Sequence, residues 1–139
     1  MTTLAAVRRI LAAILLLGMT GTLAELLLLK HDEDRWQLVP LVLLGAGVGV
    51  VGWRMITGST TSALVLRALM LLFLGAGATG IYLHYAANVE FQRETDPTLS
   101  GRALLWSVLQ AKVPPALAPG VMVQRALVGL AYTYRHKEH

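Results

Sequence analysis

The sequence predicts an all-α protein, a four-helix transmembrane bundle with an additional short interfacial helix in the last outer connector. The first observation is composition: the 139 residues are 55% hydrophobic and only 14% charged, with a mean hydropathy of +0.60. A water-soluble domain carries about a quarter of its residues charged. The second observation is patterning, because the charged residues cluster between four apolar segments, each about as long as a membrane-spanning helix.

The first predicted span covers residues 10–29 and contains one charged side chain, Glu25. As a helix it is ~30 Å long, which matches the hydrocarbon core of a bilayer. Arg8 and Arg9 before an apolar run are also typical of a cleavable signal peptide. Because the apolar run continues to Leu29, past the loose match to a cleavage site, the sequence favours a retained span.

Three further spans are predicted at residues 36–53, 62–85 and 116–134. The second has no Asp, Glu, Lys or Arg, and the third, ~36 Å long as a helix, must tilt or project from the bilayer. In the fourth, Pro119-Gly120 is expected to set the start of the helix, which leaves only ~24 Å of helix, so a re-entrant or surface-lying helix is an alternative to a crossing. Aromatic side chains prefer the membrane interface, and the predicted anchors are Trp36, Trp53, Trp106, Tyr82, Tyr85, Tyr132 and Tyr134.

The connector between the third and fourth spans contains the predicted interfacial helix, residues 101–112. Ser100 is a suitable N-cap, and Pro114 with Pro115 ends the helix. One face of this helix is apolar and the other is small and polar, which is typical of a helix lying in the headgroup plane. The alternative is that the segment packs over the ends of the spans.

Four crossings place both termini on one side, and the basic residues favour the cytoplasm for that side. The predicted cytoplasmic set is Arg8, Arg9, Arg54, Arg67, Arg135 and Lys137, against Lys30, Arg35, Arg93, Arg102 and Lys112 outside. The sequence therefore predicts a multipass membrane protein with both termini cytoplasmic.

A polar cluster is predicted inside the membrane from Glu25, Arg125 and His84. Counted from the outer ends of their helices, Glu25 and Arg125 lie at similar depths and can pair. His84 lies at the outer end of the third span and can join them. One interpretation is a salt bridge that fixes helix register; the other is a proton or cation site that uses Glu25.

Small residues inside the spans predict close helix packing, as in GxxxG motifs. The segment 75–80 also matches the dinucleotide pattern GxGxxG, but it lacks the strand-to-helix turn which that pattern requires. The predicted helix-packing residues are Gly18, Gly21, Gly45, Gly49, Gly52, Gly77 and Gly80.

Several classes of chemistry find little support in the sequence. The chain has no cysteine, and no Ser/His/Asp set or HExxH motif has convincing spacing, so the sequence predicts a protein that is not an enzyme. His31 and His84, with Asp32 and Asp34 nearby, invite a haem or metal site, but both histidines lie at predicted helix ends, and no cofactor is predicted. The basic residues are scattered rather than aligned, so no nucleic acid partner is predicted.

Three segments carry a resemblance to known sequences: YLHYAANVEF at residues 82–91, ALAPG at 116–120 and LAYTYRH at 130–136. They resemble an uncharacterised family of small multipass bacterial inner-membrane proteins, and the resemblance implies a location but no activity. The chain is also similar to small multidrug transporters in its size, its four spans and a glutamate in the first. The long connector at 86–120 departs from the tight loops of those transporters.

These features together predict a non-catalytic structural or accessory subunit of a larger membrane assembly. Its expected partners are the lipid bilayer and other membrane subunits or further copies of itself. The alternative is a small homo-oligomeric transporter or channel subunit in which Glu25 couples to protons or cations.

Overall fold

The computed structural model describes residues 2–134 and consists of five α-helices. They are α1 (Thr3–Leu28), α2 (Arg35–Thr57), α3 (Thr60–Thr95), α4 (Gly101–Leu109) and α5 (Gly120–Thr133). No strand occurs in this part of the chain, where one isolated bridge joins Lys112 and Pro115. The predicted all-α class is confirmed.

Three of the helices, α1, α2 and α3, are long and apolar enough to cross a membrane. The 36 residues of α3 extend ~54 Å, so this helix continues well beyond the thickness of a hydrocarbon core. In contrast, the 14 residues of α5 extend only ~21 Å. The structure thus has three helices of spanning length and a fourth, shorter one beside them.

The helix bounds differ from the predicted spans where local sequence allows a helix to continue or forces it to stop. Thr2 caps α1 by accepting a hydrogen bond from the Ala5 amide, so the helix begins seven residues before position 10. Polar residues 86–95 contain no Gly or Pro, and α3 continues through them. α5 begins at Gly120, four residues into the predicted span 116–134, where Pro119-Gly120 was expected to set the start of the helix.

Side-chain and backbone caps explain two of the tight connections. The Asp34 carboxylate accepts hydrogen bonds from the amides of Trp36 and Gln37, at 2.7 and 3.0 Å, and starts α2. Gly58, with φ of 62°, ends α2 in the left-handed conformation that glycine adopts without penalty. Ser100 stands at the N-cap of α4, but its side chain makes no capping hydrogen bond.

Four helices form a ring in which α1 packs against α2, α2 against α3, α3 against α5, and α5 against α1; α4 packs on α3. Gly77 adjoins Val123 and Gly129 adjoins Met70, so α5 runs antiparallel to α3. We call the end of the ring with Thr2, Gly58 and Tyr134 the termini end. The opposite end, with the loop 29–34 and the segment 96–119, is the connector end.

The interior of the ring is apolar and the outer surface is apolar as well. Buried side chains such as Leu15, Leu44, Leu66, Met70 and Phe73 fill the interior. Large apolar side chains face outward along all the long helices, among them Leu17, Leu28, Val42, Ile56, Leu64 and Leu71. Water-soluble monomers rarely expose extended apolar surface of this kind.

Candidate functional site: a polar groove between α1 and α5

An open groove of about 440 Å³ runs along the contact between α1 and α5. Apolar, small and charged side chains line it: Ile14, Leu17, Gly18, Gly21, Thr22, Glu25 and Arg125. The lining residues of α1 recur every three or four positions and therefore form one helical face. The groove brings together two of the three residues of the predicted polar cluster, Glu25 and Arg125.

Arg125 reaches into the groove from α5 and lies on the bare backbone of Gly18. A Cβ atom built on Gly18 would overlap the guanidinium, at 2.8 Å from its Nη1. The Nε–H of Arg125 is buried and has no hydrogen-bond partner. Buried donors are normally paired, since an unpaired one costs about 1–3 kcal/mol and a charged one more. Among the buried side-chain polar atoms of residues 2–134, Arg125 Nε is therefore the one left without a partner.

Glu25 lies further along the same groove, and the structure does not form the predicted salt bridge. The register explains why: Gly129 lies against Leu15, so Arg125, four residues earlier in the antiparallel helix, is level with position 19 of α1. Glu25 is six residues, or ~9 Å, closer to the connector end. Equal depths for Glu25 and Arg125 would require Pro119 to be level with Leu29, so that α1 and α5 end at one boundary. In the structure Pro119 is level with Glu25 instead.

His84 lies apart from this groove, on the face of α3 that meets the segment before α5. Its Nδ1 is 2.9 Å from the carbonyl oxygen of Pro115 and donates to it. One turn later the Nδ2 of Asn88, which is only 1% exposed, donates to the carbonyl oxygen of Pro114 at 2.7 Å. His84 thus anchors the connector. It does not join Glu25 and Arg125.

Sequence reasoning missed Asn88, although a signal was present. Gly77, Gly80, His84 and Asn88 recur at helical spacing and share one face of α3. The two glycines admit α5, since a Cβ on Gly77 would meet Val123 and one on Gly80 would meet Pro119. The two polar residues then bind the proline carbonyls that precede the helix.

The predicted packing glycines fall into two groups. Gly18, Gly77 and Gly80 lie at close approaches inside the ring, and two glycines that the sequence analysis did not single out, Gly47 and Gly129, do the same. A Cβ built on Gly21, Gly45, Gly49 or Gly52 would meet no atom within 4 Å. At the positions of the second group, a Cβ would therefore contact none of the residues that the structure describes.

The predicted aromatic anchors on the long helices fall at two levels of the ring. Gly47 lies against Phe73, so Trp36 is level with position 84 of α3, between Tyr82 and Tyr85. Trp53 is level with position 67, and Tyr132 reaches the same level through the contact of Gly129 with Met70. The two levels are 17 residues apart along α2, or ~26 Å. Tyr134 ends α5 at the termini end, and Trp106 is an exposed residue of α4 at the connector end.

Three arginines at the termini end bind backbone carbonyls where helices end. Arg54 is buried, and its Nη1 donates to the Ser59 carbonyl at 2.6 Å across the α2–α3 turn. Arg67 donates to the Thr133 carbonyl, and Arg8 donates to the Tyr134 carbonyl at 3.4 Å. Cations at helix C-termini are favourable because the backbone dipole is negative there. Arg135 and Lys137, also predicted for this side, lie outside the described residues.

Acidic residues lie toward the connector end, where Lys30, Arg35, Arg93, Arg102 and Lys112 also lie. Every acidic residue between positions 2 and 134 lies in the half of the ring toward the connector end, namely Glu25, Asp32, Glu33, Asp34, Glu90, Glu94 and Asp96. Within that same part of the chain no group of three His, Asp or Glu side chains is arranged to hold a metal ion.

Comparisons of the chain with protein-family models, with curated proteins and with solved structures find no match.

Proposed function

We propose that the protein crosses a bacterial cytoplasmic membrane four times as a transmembrane four-helix bundle. Two aromatic levels ~26 Å apart and an apolar outer surface support this, because such belts flank hydrocarbon about 30 Å thick. α5 is short, but the turn residues before it lengthen the crossing. Successive bonds from Ala118 N to Pro115 O, from Gly120 N to Leu117 O and from Met122 N to Pro119 O pair part of their backbone, and backbone pairing is favoured in lipid.

The termini are proposed to face the cytoplasm. The arginines at the termini end, Arg8, Arg9, Arg54 and Arg67, support this orientation, since basic residues near the ends of spans are retained on the cytoplasmic side. The predicted outer set is nearly as large in number, but it includes Arg93 and Arg102, which lie on the projecting part of α3 and on α4.

The function proposed is that of a non-catalytic structural or accessory subunit in a larger membrane protein assembly. One observation carries it: the buried Nε–H of Arg125 has no partner, and the groove around it opens to the outside at membrane depth. Ionised side chains within a membrane normally pair with protein groups or line cavities. A neighbouring membrane protein supplies the missing acceptor and covers the groove.

A small homo-oligomeric transporter or channel subunit is the second candidate. Its supporting observation is that Glu25 is an exposed residue lining the groove beside Thr22 and receives no salt bridge from Arg125. A carboxylate on a polar path within a bilayer is typical of proton- or cation-coupled transport.

Purification from native membranes in a mild detergent separates the two functions. An accessory subunit is recovered with other proteins at fixed stoichiometry, whereas a transporter of this size is recovered as a pure small homo-oligomer. The Glu25→Gln variant adds a second criterion. An accessory role predicts altered assembly and no pH-dependent flux in proteoliposomes; a flux that Glu25→Gln abolishes in a well-folded complex would establish the transporter instead.

A further inference from the structure

We propose that the groove between α1 and α5 is the docking site for a transmembrane helix that carries a carboxylate side chain at the depth of Arg125. This inference rests on the accessory function proposed above and names the surface and the partner chemistry.

The charge of the groove at that depth is positive and unneutralised. Arg125 Nε is buried without an acceptor, and Glu25 lies ~9 Å away along the helix axis by the register derived above. A planar guanidinium pairs best with a carboxylate, to which it can donate two parallel hydrogen bonds. An apolar helix placed in the groove would leave the cation without any acceptor, and a basic helix would add a second cation.

The depth of Arg125 argues for a helix rather than for a lipid headgroup. Position 19 of α1, which is level with Arg125, lies six residues from the level of Trp53 and eleven from the level of Trp36, or ~9 and ~16 Å. Lipid phosphates lie outside the aromatic belts. A side chain on a membrane-spanning helix reaches this depth directly.

The shape of the groove suits the close approach of another helix. Gly18, Gly21 and Thr22 form its floor along α1, and small residues of this kind let helix backbones pack tightly in membranes. Gly21 faces open space, since a Cβ built on it meets no atom within 4 Å. Gly18 does not face open space, because the side chain of Arg125 already covers it.

The test uses synthetic membrane-spanning peptides as probes. The full-length protein carries a donor dye on a cysteine introduced by Glu94→Cys, which is unique because the chain has no cysteine. It is placed in zwitterionic phosphatidylcholine vesicles with acceptor-labelled Leu/Ala peptides of about 20 residues. The peptides have Asp, Lys or Leu at one position about a third of the way along the span. Energy transfer then measures association.

We expect the Asp peptide to bind roughly tenfold more tightly than the Leu peptide, which corresponds to the measured strength of polar contacts between membrane helices. The Lys peptide should bind no more tightly than the Leu peptide. Arg125→Leu should remove the preference for Asp. Equal binding of the Asp and Leu peptides to the wild type, or preferential binding of Lys, would overturn the proposal.

Gly21→Leu tests the surface without touching the charge. The leucine side chain projects into the groove from a position where an added Cβ meets no atom within 4 Å, so it should abolish binding of the Asp peptide at unchanged melting temperature. Gly45→Leu is the matched control, because Gly45 is also exposed and free of neighbours but lies on α2. If Gly21→Leu binds the peptide as the wild type does, the groove is not the docking site.

Two further outcomes identify other occupants and would overturn the proposal. Displacement of the Asp peptide by phosphatidylglycerol, but not by phosphatidylcholine, would assign the groove to an anionic lipid. Energy transfer between copies of the protein that Gly21→Leu removes would assign it to a second copy of this chain. Purification from native membranes tests the proposed accessory function separately. Recovery of the protein as a pure homo-oligomer contradicts the accessory role, whichever peptides bind.

Discussion

At the scale of single residues, the polar side chains of this protein divide by whether they find a partner within the chain. Asn88, Arg54 and Arg67 each donate to a backbone carbonyl at a turn or a helix end. The Nε–H of Arg125 has no hydrogen-bond partner. Because unpaired buried donors are costly, the paired residues are expected to contribute to the stability of the isolated chain, and Arg125 is expected to contribute when its partner is present.

Asn88→Ala should destabilise the connector. The substitution removes the donor to the Pro114 carbonyl at a site that is only 1% exposed, and leaving that acceptor unpaired costs about 1–3 kcal/mol. Thermal unfolding in detergent, together with hydrogen exchange of residues 111–118, measures the effect. Glu90→Ala on the exposed side of α3 is the control, and equal stability of the two variants would show that the hydrogen bond contributes nothing.

Asp96 gives a prediction on pH at the connector end, outside the spanning helices. The hydroxyl of Thr98 donates to its carboxylate at 2.6 Å and the amide of Thr98 donates at 3.0 Å, and both bonds hold the pKa of Asp96 below its ordinary value of 3.8. Because the folded pKa is the lower one, the stabilisation is present above pH 3.8 and is lost as the pH falls through the folded pKa.

Carboxyl chemical shifts followed by NMR check this assignment. Thr98→Val removes the hydroxyl and keeps the amide, so the midpoint of Asp96 should rise toward 3.8. A midpoint that is the same in Thr98→Val and in the wild type would contradict the role of the hydroxyl.

At the scale of helices, the register of α5 against its neighbours is fixed by glycines. Gly77 and Gly80 of α3 admit Val123 and Pro119, and Gly129 of α5 admits Met70. This register places Arg125 on Gly18 instead of beside Glu25. The depths of Glu25 and Arg125 were estimated from the sequence to within about two helical turns, but an ion pair depends on a smaller difference.

Gly77→Ala and Gly75→Ala should change stability in opposite directions. A Cβ on Gly77 would lie 3.0 Å from the backbone nitrogen of Val123, which cannot move independently of α5, so we expect a loss of about 1–3 kcal/mol. Gly75 is two residues away in the same helix and faces open space, so alanine should gain about 0.5–1 kcal/mol there from helix propensity. Melting temperatures of the two variants test the packing directly, and a loss at both positions would contradict it.

At the scale of the whole molecule, the proposed four crossings require that α5 carries the chain across the membrane. The arrangement of the helices predicts that Thr2 and Tyr134 lie at one end and Asp32 and Glu94 at the other. Since the chain has no cysteine, a single introduced cysteine reports its own side without background.

Thr2→Cys and Tyr134→Cys should react with a membrane-impermeant maleimide from one face of the membrane, and Asp32→Cys and Glu94→Cys from the other. Permeabilised cells provide the control, in which all four variants label. If Tyr134→Cys labels from the same face as Glu94→Cys, α5 is re-entrant and the four-crossing bundle is wrong.

The amino-acid sequence by itself determined the all-α class, the three long apolar helices and the concentration of acidic residues in the loops of one side. These are properties of single segments, because helix length, apolar content and charge are local and need no knowledge of neighbours. The sequence also contained the small-polar face of α3, although the role of Asn88 was not deduced from it.

Only the tertiary structure decided which polar groups meet. Whether Arg125 lies on Gly18 or beside Glu25, whether His84 joins them or binds Pro115, and which glycines are packed all depend on the register between helices that are far apart in sequence. The register between two helices is set by many contacts, each of which contributes little free energy. The side chains that make them interdigitate to within a fraction of a helical turn. The pattern along one helix fixes which face turns inward, but it does not fix the height at which that face meets its neighbour.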